Sequence, residues 1–311
     1  MSIGIVIEQM VIIFILIGTG VFLFKKGMVN EDTSKHLSNI VINITNPAIL
    51  ILSALDDGPK ESLKDLGTAS LAIIGVYIFL IIVSNLIPII IRAPKSEHYQ
   101  YLMISLFGNT GFLGIPLVSA LIGESALIYV SICCLFFNIL IYTYGLGTLR
   151  KAAGASDSRT SFWDISKKLV NVGTVSALIT VVLYLLDLPI PNFVREPFRY
   201  AGNCTTYMSM IVLGIAVAQM IPREVFRDFR MYVYIIIRQI LISVIIALVL
   251  SLFIKNKLIL NTLVIEFAVP AGNMSLMFSK QLNLDASVIS RGVIMTTLLS
   301  VITIPIVTMV L

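Results

Sequence analysis

Two short stretches of the chain hold the residue types of a binding site. Residues 105–118 read SLFGNTGFLGIPLV, and residues 266–280 read EFAVPAGNMSLMFSK. Each lies within a long apolar run, and each has glycine, proline and asparagine at its middle. In the first, Gly108, Gly111 and Gly114 recur at every third position, with Asn109 and Thr110 among them and Pro116 beyond. The second has Pro270, Gly272, Asn273 and Ser275. Proline lacks a backbone N–H and clashes with the turn before it, so both runs read as interrupted helices. A helix that starts again near Pro116 or Pro270 presents unbonded N–H groups and the positive end of its dipole. Proline suits such a start, because its missing N–H would be unbonded anyway. Anions bind at helix starts of this kind. The amides of Asn109 and Asn273 and the hydroxyls of Thr110 and Ser275 add donors, and the glycines let a ligand approach the backbone.

The elements that must position these stretches are membrane helices. Of the 311 residues, 58% are hydrophobic and 13% charged, and mean hydropathy is +0.98. Soluble domains carry about 25% charged residues, so a single water-soluble core is excluded. Apolar runs of about 20 residues are long enough to span a bilayer. Ten are predicted, at residues 5–24, 36–55, 67–91, 99–122, 125–149, 168–186, 196–220, 231–254, 258–282 and 287–311. The first is followed, not preceded, by Lys25 and Lys26, which reads as a retained helix rather than a signal peptide. With an external N-terminus, fourteen basic residues fall in loops on the cytoplasmic side and six on the other. That bias predicts both termini outside. The net charge of +5 therefore reads as a topology signal and not as a nucleic-acid surface.

The longest polar connection, residues 150–167, divides the spans into five and five. This predicts an N-terminal repeat over 1–149, a cytoplasmic linker over 150–167, and a C-terminal repeat over 168–311. Odd halves have opposite orientation, the arrangement of inverted-repeat transporters, and paired Gly/Pro-interrupted spans at matching places mark their binding sites. The interrupted spans here are the fourth of each half. The second span has a polar cluster, Asn43, Thr45, Asn46 and Pro47, and the seventh has Asn203, Thr205, Thr206 and Ser209. Helix-to-helix hydrogen bonding is a sufficient reading of both clusters.

These residues resemble the auxin efflux carrier family, which includes plant PIN carriers and bacterial malate and malonate permeases. The similarity runs through ILIGTGVFLFKKGMV, NITNPAILILSAL, GNTGFLGIPLV and VPAGNMSLMFSKQL, the last two being the specific signals. The resemblance implies an all-α membrane fold akin to sodium/proton antiporters and bile acid transporters, with the fourth and ninth helices crossing at Pro116 and Pro270. It implies a dimeric scaffold from helices 1, 2, 6 and 7, and a transport domain of helices 3–5 and 8–10 that moves like an elevator. It matches Asn109 to an asparagine implicated in carboxylate binding. Asn171-Val172 departs from the Asn-Pro of many bacterial members, and the short 150–167 connection gives no basis for a regulatory loop. Two helix starts meeting at such a crossing would form an anion site from Asn109, Thr110, Gly111, Gly114, Pro116, Pro270, Gly272, Asn273 and Ser275.

Arg238 lies within the eighth span. A central arginine costs about 2.5–3.5 kcal/mol on insertion scales and usually faces a cavity or a partner. It is read either as a counter-charge for a substrate carboxylate or as an ion pair with Glu266, the one acidic residue well inside a span. Glu266 is in turn either a proton site or a structural partner, and in the latter case the substrate gradient and membrane potential drive transport. Arg291 reads as snorkelling to the cytoplasmic interface, with a substrate-selective role as the alternative. Phe162 and Trp163 read as an interfacial anchor, and His36 and His98 as interfacial. Cys133, Cys134 and Cys204 lack metal-ligand spacing and read as buried thiols. No ATP-binding motif, metal cluster or catalytic constellation is found, so neither a cofactor nor an enzymatic activity is expected.

The sequence thus predicts a secondary transporter of a small organic anion, a mono- or dicarboxylate. Its compact length suits a bacterial inner membrane, with possible H+ or Na+ coupling and a homodimeric state. A non-transporting anion sensor and a sodium-coupled symporter are the alternatives.

Overall fold

The computed structural model describes residues 3–55, 60–154, 167–188, 190–219 and 228–311. Asp56, Asp57, Arg159, Phe162, Trp163, Arg223, Arg227 and most of the 150–167 connection lie outside the described residues. The rest is helical. In chain order the helices are α1 (Ile3–Lys25), α2 (Glu31–Ala54), α3 (Leu63–Ile90), α4 (His98–Leu106), α5 (Thr110–Leu121) and α6 (Glu124–Ala152). After the connection come α7 (Val172–Leu186), α8 (Asn192–Ala218), α9 (Phe229–Phe253), α10 (Lys257–Ala268), α11 (Asn273–Gln281) and α12 (Ser287–Thr308). Seven of these, α1, α2, α3, α6, α8, α9 and α12, are long and apolar enough to cross a membrane. Among the described residues no strand forms; Gly108 and Ala271 make one isolated antiparallel bridge.

Helix α1 shows how the sequence sets the packing. Its buried residues are Val6, Met10, Ile13, Ile17 and Gly20, a seam of steps of four and three. Ile5, Ile12, Ile15 and Phe22 on the other side are exposed, an apolar face suited to lipid. The seam lies against α8, where the two backbones touch. A Cβ at Gly20 would stand 2.5 Å from the Ile211 carbonyl oxygen, and one at Gly214 would stand 2.2 Å from that of Ile17. Small residues at membrane helix interfaces permit this approach.

The two interrupted stretches meet. Helix α4 ends at Leu106 and α5 begins at Thr110; α10 ends at Ala268 and α11 begins at Asn273. Between them the backbones bond to each other. Asn109 N–H donates to the Pro270 carbonyl at 2.7 Å, and Gly272 N–H donates to the Phe107 carbonyl at 2.9 Å. Ala271 N–H donates to Thr296 Oγ1 at 3.1 Å. Non-helical backbone at membrane depth requires such internal partners. The approach also needs glycine at both breaks: a Cβ on Gly108 would meet Val269 Cγ2 at 2.8 Å, and one on Gly272 would meet the Gly108 oxygen at 2.7 Å.

One expectation is corrected. The first stretch breaks at Phe107–Asn109, not at Pro116. The chain resumes as a π-helical turn over Thr110–Gly114 and continues as α-helix through Pro116. Within the turn, Ile115 N–H bonds to the Thr110 carbonyl, so the next donor in the series would serve Gly111. That donor is missing at Pro116, and the Asn46 side-chain amide supplies it instead, at 3.1 Å from the Gly111 oxygen. Pro270, by contrast, lies within its break.

Candidate functional site

A cavity of about 380 Å³ opens beside the two breaks, within the range of small-molecule sites. Its floor holds Asn109, Thr110, Gly111 and Gly272, and α11 contributes Asn273. Helix α2 contributes Asn43 and Asn46, α6 contributes Cys134, Asn138 and Tyr142, and Asn171 and Ser176 close the α7 side. Among the described residues, every polar side chain on this wall is an amide, hydroxyl or thiol, and none is charged.

Asn109 is the most informative of them. It caps α5, its Oδ1 accepting from Phe112 N–H at 3.3 Å. Capping fixes the amide's direction, so its Nδ2 is the free end. That nitrogen is buried without a hydrogen-bond partner in a residue 4% exposed. A buried donor left unmatched costs about 1–3 kcal/mol, and here it belongs to a residue of the cavity wall. Asn273 begins α11, whose N-terminus has no side-chain cap. Two helix starts therefore face the same space.

The opposite ends of the broken helices are treated differently. Arg238 is buried on α9, within a π-helical segment over Ile236–Ile242. Its Nε donates to the Ser105 carbonyl at 2.6 Å, and its Nη1 donates to the Phe267 carbonyl at 3.2 Å. These carbonyls lie in the last turns of α4 and α10, at the negative ends of both half-helices. A cation there complements the dipole. The positive ends at the cavity are left without a counter-charge from the protein wall.

The ion pair of Arg238 with Glu266 does not form: neither Glu266 oxygen has a hydrogen-bond partner. Nor does Arg238 line the cavity. The physical reason is that four half-helix ends meet here, and the carbonyl ends compete for the guanidinium more directly than the carboxyl does. Arg291 pairs with Asp228 at 3.5 Å. His98 Nε2 lies 3.1 Å from the Ala93 carbonyl, and His36 is exposed.

Of the residues named from sequence, Asn109, Thr110, Gly111, Gly272 and Asn273 line the cavity together. Gly114, Pro116, Pro270 and Ser275 stand behind the wall. Gly114 lies under Glu266, and Ser275 donates to the Met103 carbonyl at 3.3 Å. Asn46, read as helix glue, both glues and lines. Asn138 and Tyr142 were not singled out; the usable signal was a lone amide in the apolar run of 125–149. Thr205 and Ser209 are fully buried but away from the cavity. Of the three cysteines only Cys133 is buried; Cys134 is half-buried on the cavity wall and Cys204 is exposed, since lipid, unlike water, allows an outward-facing thiol.

Comparison with known proteins gives concordant matches. Residues 5–308 match the family described as membrane transport protein. An uncharacterized transporter of Methanocaldococcus jannaschii is 26% identical over 304 residues, covering 96% of this chain and 96% of that protein.

Proposed function

The chain belongs to the membrane transport protein family, that of the auxin efflux carriers, and on that premise we propose that it carries a small organic anion, a mono- or dicarboxylate, across the membrane. One observation carries the choice of an anion. The cavity is faced by two helix starts and an unpartnered buried amide donor, Asn109 Nδ2, while Arg238 covers the negative helix ends elsewhere. A carboxylate supplies the acceptor this arrangement lacks.

The proposal includes the way the chain is laid out. Residues 98–121 and 257–281 each count as one interrupted pass. With α7 they raise the seven long helices to ten, five on either side of the 150–167 connection, as inverted repeats with crossed fourth and ninth passes. Helices α1, α2, α7 and α8 form a scaffold that pairs with a second copy. The other helices carry the anion as an elevator. The bias of the basic loops supports both termini lying outside a bacterial inner membrane, with the cavity mouth, near Ser38, Asn43 and Met277, on the cytoplasmic side.

Tracer flux of malate, succinate and lactate into proteoliposomes tests the reading. Asn109→Ala and Asn273→Ala each remove a donor to a charged ligand. Such a bond is worth about 1.5–3 kcal/mol, so affinity is expected to fall about tenfold or more in protein that still elutes as a single species. Normal flux in both variants would refute the site. Saturable binding by the parent protein without flux would favour the sensor reading.

A further inference from the structure

The carboxyl group of Glu266 is unused by the site described above, and its setting is unusual. Glu266 lies in the last turn of α10 and is 4% exposed. Neither carboxyl oxygen has a hydrogen-bond partner. The group rests on the α5 backbone: a Cβ at Gly114 would stand 2.6 and 2.8 Å from its two oxygens. The Thr110 hydroxyl, itself part of the cavity wall, lies at the edge of hydrogen-bonding reach of the carboxyl. The carboxyl therefore sits one side chain behind the anion cavity.

Among the described residues, the groups on the elements packed around it supply no counter-charge. Helix α3 presents Tyr77, whose ring packs edge-on to Phe267 at 5.3 Å. Helix α6 presents Cys133 and Cys134. Arg238 of α9 is turned to the Ser105 and Phe267 carbonyls. On α12, Arg291 is engaged with Asp228. A buried carboxylate with no cation beside it costs far more than the neutral acid. A second negative charge arriving in the cavity raises that cost further.

We propose that Glu266 is a proton-binding site that couples proton movement to the anion. This rests on the anion-carrier reading above. One proton joins a Glu266 carboxylate oxygen on the side where the anion enters. It is released from the same oxygen on the side where the anion leaves. Because binding linkage is reciprocal, the proton favours the anion as much as the anion favours the proton, typically by about 5–150-fold. Both sites belong to the same pair of interrupted passes, so they travel together. A proton needs only the carboxyl itself, whereas a sodium ion would need a shell of oxygen ligands around it.

The test uses the full chain in proteoliposomes containing a pH-sensitive dye, with malate, succinate and lactate as probes and protein-free liposomes as the control. The parent protein is expected to acidify the lumen as it imports the anion, and an acid-outside gradient is expected to speed import about tenfold. Glu266→Gln mimics the neutral acid. It is expected to keep anion flux but lose both the dye response and the acceleration by the gradient, while Glu266→Asp restores them. Anion flux without a dye response in the parent protein, a dye response that survives in Glu266→Gln, or a strict requirement for sodium would each overturn the proton site while leaving the anion carrier standing. If no probe moves in the parent protein, the carboxylate-carrier reading fails, and the coupling proposal with it.

Discussion

At the scale of single residues, Arg238 and Asn109 divide the labour where the two breaks meet. Asn109 holds an unpartnered buried donor in the cavity wall, and Arg238 closes two acceptors behind it. A lysine at 238 keeps the charge but loses the planar fork, so one ammonium cannot reproduce both bonds in the same directions. Arg238→Lys is expected to leave one buried carbonyl poorly bonded, at about 1.5–3 kcal/mol. That corresponds to a fall of about 2–5 °C in the thermal midpoint, read by size-exclusion chromatography after heating in detergent. Anion affinity should change less than the midpoint implies. Lost affinity at an unchanged midpoint would return Arg238 to the role of substrate contact. The sequence marks Arg238 as special because charges within spans are rare. It does not reveal its partners, because backbone carbonyls look alike in every residue. Asn138 escaped for a related reason: one amide in an apolar run reads as helix glue until its neighbours are known.

At the scale of elements, the sequence makes the two breaks visible but shifts one of them. Gly, Asn and Pro clustered in apolar runs locate both, and the glycines are needed where the backbones touch at Gly108 and Gly272. Pro116 misleads because a proline is normally tolerated only in the first turn of a helix. Here a π-helical turn and a side chain from another helix, Asn46, replace the bond that Pro116 cannot make. Such turns often occur at functional sites and have no sequence signature of their own. Asn46→Ala should leave the half-buried Gly111 carbonyl unpaired and cost about 1 kcal/mol. Adding Pro116→Ala restores a backbone N–H in reach of that carbonyl. The double variant is therefore expected to recover part of the loss, giving a coupling of about 0.5–1 kcal/mol in a double-mutant cycle. Strict additivity of the two thermal shifts would show that Asn46 does not stand in for the missing N–H.

At the scale of the whole molecule, the cavity lies toward one end of α7 and a polar cluster toward the other. Its mouth lies near Asn43, Asn171 and Met277. Away from the cavity lining, the polar cluster stands at the far ends of α2, α7 and α10. Lys60 pairs with Asp187 at 3.2 Å and lies over the Tyr184 ring at 4.9 Å. The Glu61 carboxylate accepts from the Tyr129 hydroxyl and the Asn256 amide, each at 3.0 Å, while its N–H donates to the Tyr184 hydroxyl. From Gly173 to Tyr184 is eleven residues, or about 16 Å of helix at 1.5 Å per residue, so mouth and cluster stand well apart. Tyr184 belongs to the proposed scaffold, Tyr129 and Asn256 to the proposed moving part, and Glu61 joins them. Glu61→Ala removes both carboxylate bonds. After screening at this partly exposed place each is worth about 1 kcal/mol, so the population open at the cluster end should rise about thirtyfold. Cys134 on the cavity wall is a native reporter. In a Cys204→Ser background, a membrane-impermeant maleimide should label Cys134 from the mouth side in the parent chain. In Glu61→Ala, labelling from the cluster side should accelerate by a similar factor, with mouth-side labelling slowed. Equal acceleration from both sides would mean that the cluster only holds the fold together, and unchanged labelling from the cluster side would mean that Glu61 closes nothing.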